Sequence, residues 1–213
     1  MTHPCMPVLA RNSVLTGVAL LAASGSGAAV AQTASTVPID EWTVPWPDTR
    51  PRDPFTDVAG GVWFVGQTGD YMARLDPATG SFARRDLPGG TGPHNLVVAT
   101  DGSIWVAGNR TAELQVHDPT EGLTARISMP DPAARDPHTL VFAEDGTLWF
   151  SVQNGNFVGR LKTASERFFS VTEIESGAGS VRHMHYDAAR GELWFGTEAG
   201  TIGRADLSAA ELP

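Results

Sequence analysis

Apolar and polar positions along the chain fall into short alternating runs rather than helical turns, and the runs recur. Gly92–Asn109 reads GPHNLVVATDGSIWVAGN, and Asp136–Gln153 reads DPHTLVFAEDGTLWFSVQ. Both place a histidine after a proline, then an apolar run, an Asp-Gly pair and a tryptophan. Tryptophan marks the period at Trp63, Trp105, Trp149 and Trp194, with spacings of 42, 44 and 45 residues. A second patterned run follows each: YMARLDPATG, AELQVHDPTEG, FVGRLKTASE and TIGRADLSAA. A third follows in three copies: SFARRDLP, LTARISMP and RFFSVTEI.

Each copy predicts four short strands. Strand A (HNLVVA, HTLVFA) is largely apolar, as a strand buried on both faces should be. An Asp-Gly turn supplies the positive φ of a tight hairpin into strand B, which carries the tryptophan. Strand C (FVGRL, TIGRA) ends at an Asp-Pro turn such as DPATG, where Pro presets φ and Gly closes the turn. Strand D completes the unit. Four-stranded units repeating every 42–45 residues predict an all-β fold, a β-propeller of about four blades near residues 50–90, 91–135, 136–178 and 179–213. The last copy lacks a strand D, and IDEWTVPWPDTRPRDP near the start resembles one. Ile39–Trp46 is therefore predicted to pair beside Thr201–Leu207 and close the ring.

Charge and composition narrow the classes. The chain has 213 residues and a formal charge of −9, so a nucleic-acid partner is excluded on electrostatic grounds. Arg11, the apolar run Val14–Ala23 and the small residues Ala29-Val30-Ala31 form a secretory signal peptide pattern over 1–31. The run is too short to span a bilayer. Cleavage near Ala31 leaves 32–213 as one domain, periplasmic or secreted. The one cysteine, Cys5, falls in the removed part, so the mature chain needs no disulfide.

The first residue of each strand A is predicted to stand at one mouth of the central channel. That position is assigned to His94, His138 and His183, with Phe55 in the first copy. Imidazoles there suit ligand contact, metal binding or general-base work. His185 lies two residues on, along the same strand face. Four residues past each tryptophan stand Gln67, Asn109, Gln153 and Glu198. His117, beside the Asp118-Pro119 turn, reads as solvated. Arg182 and Arg204 are candidates for an anionic group, although the Gly-Arg pair recurring at Arg160 suggests a structural role.

Repeats of the form PHxLxxxxDGxxWF…IGRLDPxTG resemble the virginiamycin B lyase (streptogramin lyase) family of β-propellers, from about Ile39 to Leu207. Members of that family usually have seven blades. Four are counted here, with the loss placed between Ser165 and Ser180. The resemblance implies a carbon–oxygen lyase that opens a lactone or cyclic depsipeptide ester by metal-assisted β-elimination. It puts forward His183 as general base, with one residue added before Trp194. It makes Glu198 the metal-side carboxylate for Mg²⁺ and His138 a substrate contact; His94 and His185 are assigned as substrate contacts from their places along the inner strands. The other metal-side acid is missing, because Val181 stands there; Asp136 of the preceding copy is the nearest equivalent. A non-catalytic propeller binding a ligand or protein at the channel mouth is the alternative. The chain is expected as a monomer or as a self-paired assembly completing the ring.

Overall fold

A computed structural model describes residues 37–162, 169–175 and 179–207. The signal-peptide segment 1–31 lies outside these residues, as does part of the 165–180 stretch. The chain divides into two units, Met1–Asp40 and Glu41–Pro213. Of the first, only residues 37–40 are described, and they carry no regular element.

The second unit is all β and forms a four-bladed propeller. Blade 1 contains β1 (Pro51–Thr56), β2 (Val62–Gly66), β3 (Tyr71–Asp76) and β4 (Ser81–Asp86). Blade 2 contains β5 (Pro93–Val98), β6 (Ile104–Gly108), β7 (Glu113–Asp118) and β8 (Gly122–Ser128). Blade 3 contains β9 (Pro137–Phe142), β10 (Thr147–Val152), β11 (Phe157–Lys162) and β12 (Phe169–Glu173). Blade 4 contains β13 (Val181–Asp187), β14 (Glu192–Thr197) and β15 (Ile202–Asp206). Each sheet is an antiparallel meander in chain order. The inner strands β1, β5, β9 and β13 meet their neighbours in succession.

The turns follow from their residues. In the β5–β6 connection Gly102 has φ +87° and donates to the Ala99 carbonyl at 3.0 Å, while Asp101 accepts from the Ser103 amide at 2.9 Å. Only glycine takes that φ cheaply.

Cross-strand pairs explain the recurring Gly-Arg. Phe150 sits opposite Gly159, and Phe195 opposite Gly203. A Cβ on Gly159 would lie 1.9 Å from the Phe150 ring, and one on Gly203 2.1 Å from Phe195. The glycine lets the ring lie flat across the neighbouring strand. The next pair sets Arg74 opposite Trp63, Arg160 opposite Trp149 and Arg204 opposite Trp194. Arg160 and Arg204 lie over their indoles at 5.8 and 5.9 Å, a cation–π arrangement. Blade 2 departs from both rules, with Gln115 opposite Val106 and Val116 opposite Trp105.

The apolar cores lie between blades. Val65, Met72, Leu96 and Val106 join blades 1 and 2, Leu114, Leu140 and Phe150 join blades 2 and 3, and Trp149, Val158, Leu193 and Phe195 join blades 3 and 4. Position in the series therefore sets burial. Trp105 and Trp149 are 7% and 8% exposed, whereas Trp194 in the last blade is 39% exposed.

The expected closing strand is not formed. Residues 37–50 carry no strand, and the last sheet has three strands. Val44 and Trp46 instead pack on Phe64, Tyr71 and Phe82 of blade 1, with Trp46 edge-on to Tyr71 at 5.2 Å. The physical reason is in the sequence: Pro45 and Pro47 lack the amide protons a ladder strand must donate.

Candidate functional site

Strand register, rather than residue identity, defines the equivalent positions at the channel mouth. Pro51 pairs with Gly66, Pro93 with Gly108, Pro137 with Val152 and Val181 with Thr197, each partner three residues past its tryptophan. The next residue in each inner strand is therefore Arg52, His94, His138 and Arg182. One further on stand Asp53, Asn95, Thr139 and His183. The sequence expectation is corrected in two blades. Phe55 lies opposite Trp63 and packs into the inter-blade core, so Arg52 takes the mouth position in blade 1. In blade 4 the A–B hairpin is one residue longer, which moves His183 one position on and puts Arg182 in line with the histidines. The backbone agrees: Arg50, Gly92, Asp136 and Ser180, each just before these strands, all have positive φ.

The side chains converge. The His94 and His138 rings lie face to face but tilted by 34°, with centroids 3.5 Å apart, and His183 meets His138 edge-on at 5.8 Å. Asp53 Oδ2 lies 3.4 Å from His94 Nδ1, a long contact, and accepts from Asn95 Nδ2 at 3.2 Å. Asn95 Oδ1 in turn accepts from the Leu140 amide at 3.0 Å, tying blade 2 to blade 3. His94 and His138 are each 2% exposed, while His183 and His185 are exposed. His138 Nδ1 faces the Thr139 hydroxyl at 2.9 Å, and its Nε2 is buried without a partner.

Burial sets the charge states. It lowers His138 to about 3, helped by the charges of His94 and Arg182, and Asp53 opposes only in part. It lowers His94 as well, again against the pull of Asp53. Burial raises the Asp53 carboxyl, but His94, Asn95 and Arg52 outweigh it and leave the group below its ordinary value. Arg52 is lowered by burial and by the Arg50 and Arg182 charges, with Asp53 opposing. The inner mouth is thus two neutral imidazoles between two guanidiniums.

The two guanidiniums have equivalent partners. Arg52 donates to Gln67 Oε1 at 3.0 Å, and Arg182 is ion-paired with Glu198. Gln67 and Glu198 are the residues four past Trp63 and Trp194. The Arg182 hydrogen bonds, followed by one from Ser180, hold the Glu198 carboxyl below its usual range.

A resident divalent ion does not fit these residues. Mg²⁺ needs several converging oxygens, and among the described residues no group of three or more His, Cys, Asp or Glu side chains is so placed. Glu198 is engaged by Arg182, and Asp136, on another blade, accepts from Asn154. His185 lies opposite Trp194, in line with Val97 and Val141, away from the mouth position. A cavity of about 840 Å³ between blades 2 and 3, bounded on the blade 1 side by Asp53–Phe55, touches the mouth cluster at Asp53 and Asn95; Arg52, His94, His138, Arg182, His183 and Glu198 are outside its lining. Sequence reasoning missed Arg52, Asp53, Asn95 and Thr139. Their signal was the distance to the tryptophan.

His117 is corrected too: it is 1% exposed rather than solvated. Its Nε2 donates to Gln115 Oε1 at 3.1 Å. The Gln115 amide donates to Glu113 Oε1 at 2.7 Å and to Thr91 Oγ1 at 3.1 Å, in the connection from blade 1. Burial, then the Arg85 charge, lowers His117 to about 4.

Among the described residues no helix is long and apolar enough to cross a membrane. No protein-family model matches the chain, and no curated protein matches it by sequence. Solved structures do. A virginiamycin B lyase from Staphylococcus aureus is similar with a TM-score of 0.68 and 27% identity, over 78% of this chain and 55% of that one. A streptogramin B lyase gives 0.67 and 20%, covering 78% and 57%. A catalytically inactive histidine-to-alanine variant of the Staphylococcus aureus virginiamycin B lyase, with quinupristin, gives 0.66 and 20%, covering 78% and 58%. The chain thus resembles these lyases as a propeller and spans somewhat over half their length.

Proposed function

We propose that this chain is a lyase-like propeller that opens a cyclic ester, a lactone or depsipeptide, by β-elimination at the channel mouth. The observation that carries the reading is the convergence of three imidazoles from three successive blades at one mouth, with His183 the one open to solvent. The likeness to virginiamycin B lyase, and to its inactive histidine variant with quinupristin, supports it.

In this reading His183 removes the proton α to a carbonyl. The electron pair forms the Cα–Cβ double bond, the Cβ–O bond breaks, and the ester oxygen leaves as a carboxylate without water. A base of this kind contributes roughly 10²–10⁴-fold. Negative charge develops on the carbonyl oxygen, and in this reading the guanidinium of the adjacent Arg182 stabilises it. His138, held neutral by burial, orients the His183 ring through their edge contact. Export with cleavage near Ala31 is part of the same proposal.

The test is ring opening of a streptogramin B lactone, followed by loss of the ester and gain of ultraviolet absorbance from the new double bond. His183→Ala should lower the rate at least about 100-fold; an unchanged rate would sink the assignment. The engagement of Glu198 by Arg182 favours a second reading, a non-catalytic propeller binding a ligand at the same mouth. That reading is selected if the lactone binds saturably and is recovered intact.

A further inference from the structure

The mouth carries a charge pattern that neither a metal site nor a neutral-ester site requires. The chain has a net charge of −9, yet two guanidiniums, Arg52 and Arg182, stand at the inner mouth facing Asp53 and Glu198, while Asp136, at the position equivalent to Arg50, is engaged by Asn154. Arg52 and Arg182 occupy equivalent positions on the first and last blades, flanking the face-to-face His94 and His138. Arg182 is 38% exposed and its partner Glu198 52% exposed. The Nε and Nη2 of Arg182 both converge on one Glu198 oxygen. That leaves the two-pronged pairing a guanidinium prefers unmade. An exposed pair of this kind contributes little and exchanges readily. His138 Nε2 and His94 Nδ1, on two of the ring's members, are buried without a hydrogen-bond partner.

We propose that the ring Arg52–His94–His138–Arg182 binds a small organic carboxylate, held by the two guanidiniums in place of a divalent ion, with Glu198 as the internal carboxylate it displaces. The site stands without the elimination reading, although the carboxylate released in that reaction is a ligand of this class. Glu198 then acts as a competitor for Arg182. Removing its charge should tighten carboxylate binding, the opposite of what a metal-side ligand would show.

The experiment is isothermal titration calorimetry on the metal-stripped chain with succinate as the probe, and with Arg204→Gln as a control on a guanidinium that lies over Trp194 instead. Saturable binding is expected. Arg182→Gln should weaken it at least about tenfold, as for loss of a charge-assisted hydrogen-bonded pair. Arg52→Gln should weaken it likewise, Glu198→Gln should strengthen it, and added Mg²⁺ should change nothing. Near-ultraviolet circular dichroism checks that each variant is folded, and Arg182→Lys retains the charge without the fork. The proposal is overturned if neither the wild type nor Glu198→Gln binds succinate, if Arg182→Gln and Arg52→Gln stay within twofold, or if binding requires Mg²⁺. Because no lactone is present, these outcomes are independent of ring opening.

Discussion

Mild acid should destabilise this propeller through its buried histidines. His117 and His138 are 1% and 2% exposed, and burial lowers them to about 4 and about 3. In the unfolded chain each returns to about 6.5. The folded values are depressed, so the unfolded state binds more protons between those limits. Stability is therefore intact near pH 7 and falls as pH drops below about 6.5. pH 5 lies about 1.5 units below the unfolded value and above both folded values, so at about 1.4 kcal/mol per unit each group costs roughly 2 kcal/mol and the pair roughly 4. Domains of this kind have ~5–15 kcal/mol in total. The carboxylates do not offset this, since Asp53 and Glu113 are lowered in the fold and stay ionised in both states at pH 5. The assay is urea unfolding at pH 7 and pH 5 for the wild type, His117→Gln and His138→Gln. Each variant should lose roughly 2 kcal/mol of the pH-dependent drop, to which the lowered His94 also contributes, whatever its stability at pH 7. A wild type equally stable at both pH values, or variants that keep the full drop, would refute the argument.

Two further outcomes follow from packing and capping. Gly159→Ala should cost roughly 1–3 kcal/mol in chemical denaturation because its Cβ meets the Phe150 ring; a penalty that persists in a Phe150→Val background would show the ring is not the cause. Asp57 accepts from the Ala59 and Gly61 amides, the Trp63 indole and Arg74, chiefly Arg74, and its carboxyl is lowered to about 2. Its contribution is present above about pH 4 and lost as pH falls towards 2. Asp57→Asn should therefore lose roughly 1–2 kcal/mol at pH 7, discounted for the part-exposed Arg74, and flatten the Tm decline between pH 4 and 2; an unaltered acid limb would argue against this carboxylate.

The blades were legible because turn chemistry is local. Asp-Gly, Asp-Pro and the tryptophan period locate hairpins without tertiary information, and the inter-blade cores follow from the apolar inner strands. The site was legible only in part. His183 stands eleven residues before Trp194, as His138 does before Trp149, so identity and distance both align them. The extra residue before Trp194, noted in the sequence, breaks that alignment, and pairing across the strands places it between Asp187 and Glu192 and shows that Arg182 takes the histidine position. The distance to the tryptophan marks the positions of Asp53 and Asn95 but not their roles, which are set by contacts between blades. The failed ring closure was readable in Pro45 and Pro47, had the missing amide donors outweighed the likeness to a fourth strand.

Blade 2 shows what duplication leaves behind. Where blade 3 places Gly159 and Arg160, blade 2 places Gln115 and Val116, and Gln115 reaches Thr91 in the segment arriving from blade 1. A chimera carrying β9–β12 in place of β5–β8 would keep the Asp-Gly hairpin and the tryptophan, yet sever that bridge and leave the Thr91 hydroxyl without its amide donor. The copies are no longer interchangeable: each carries an address written in its contacts with the copy before it.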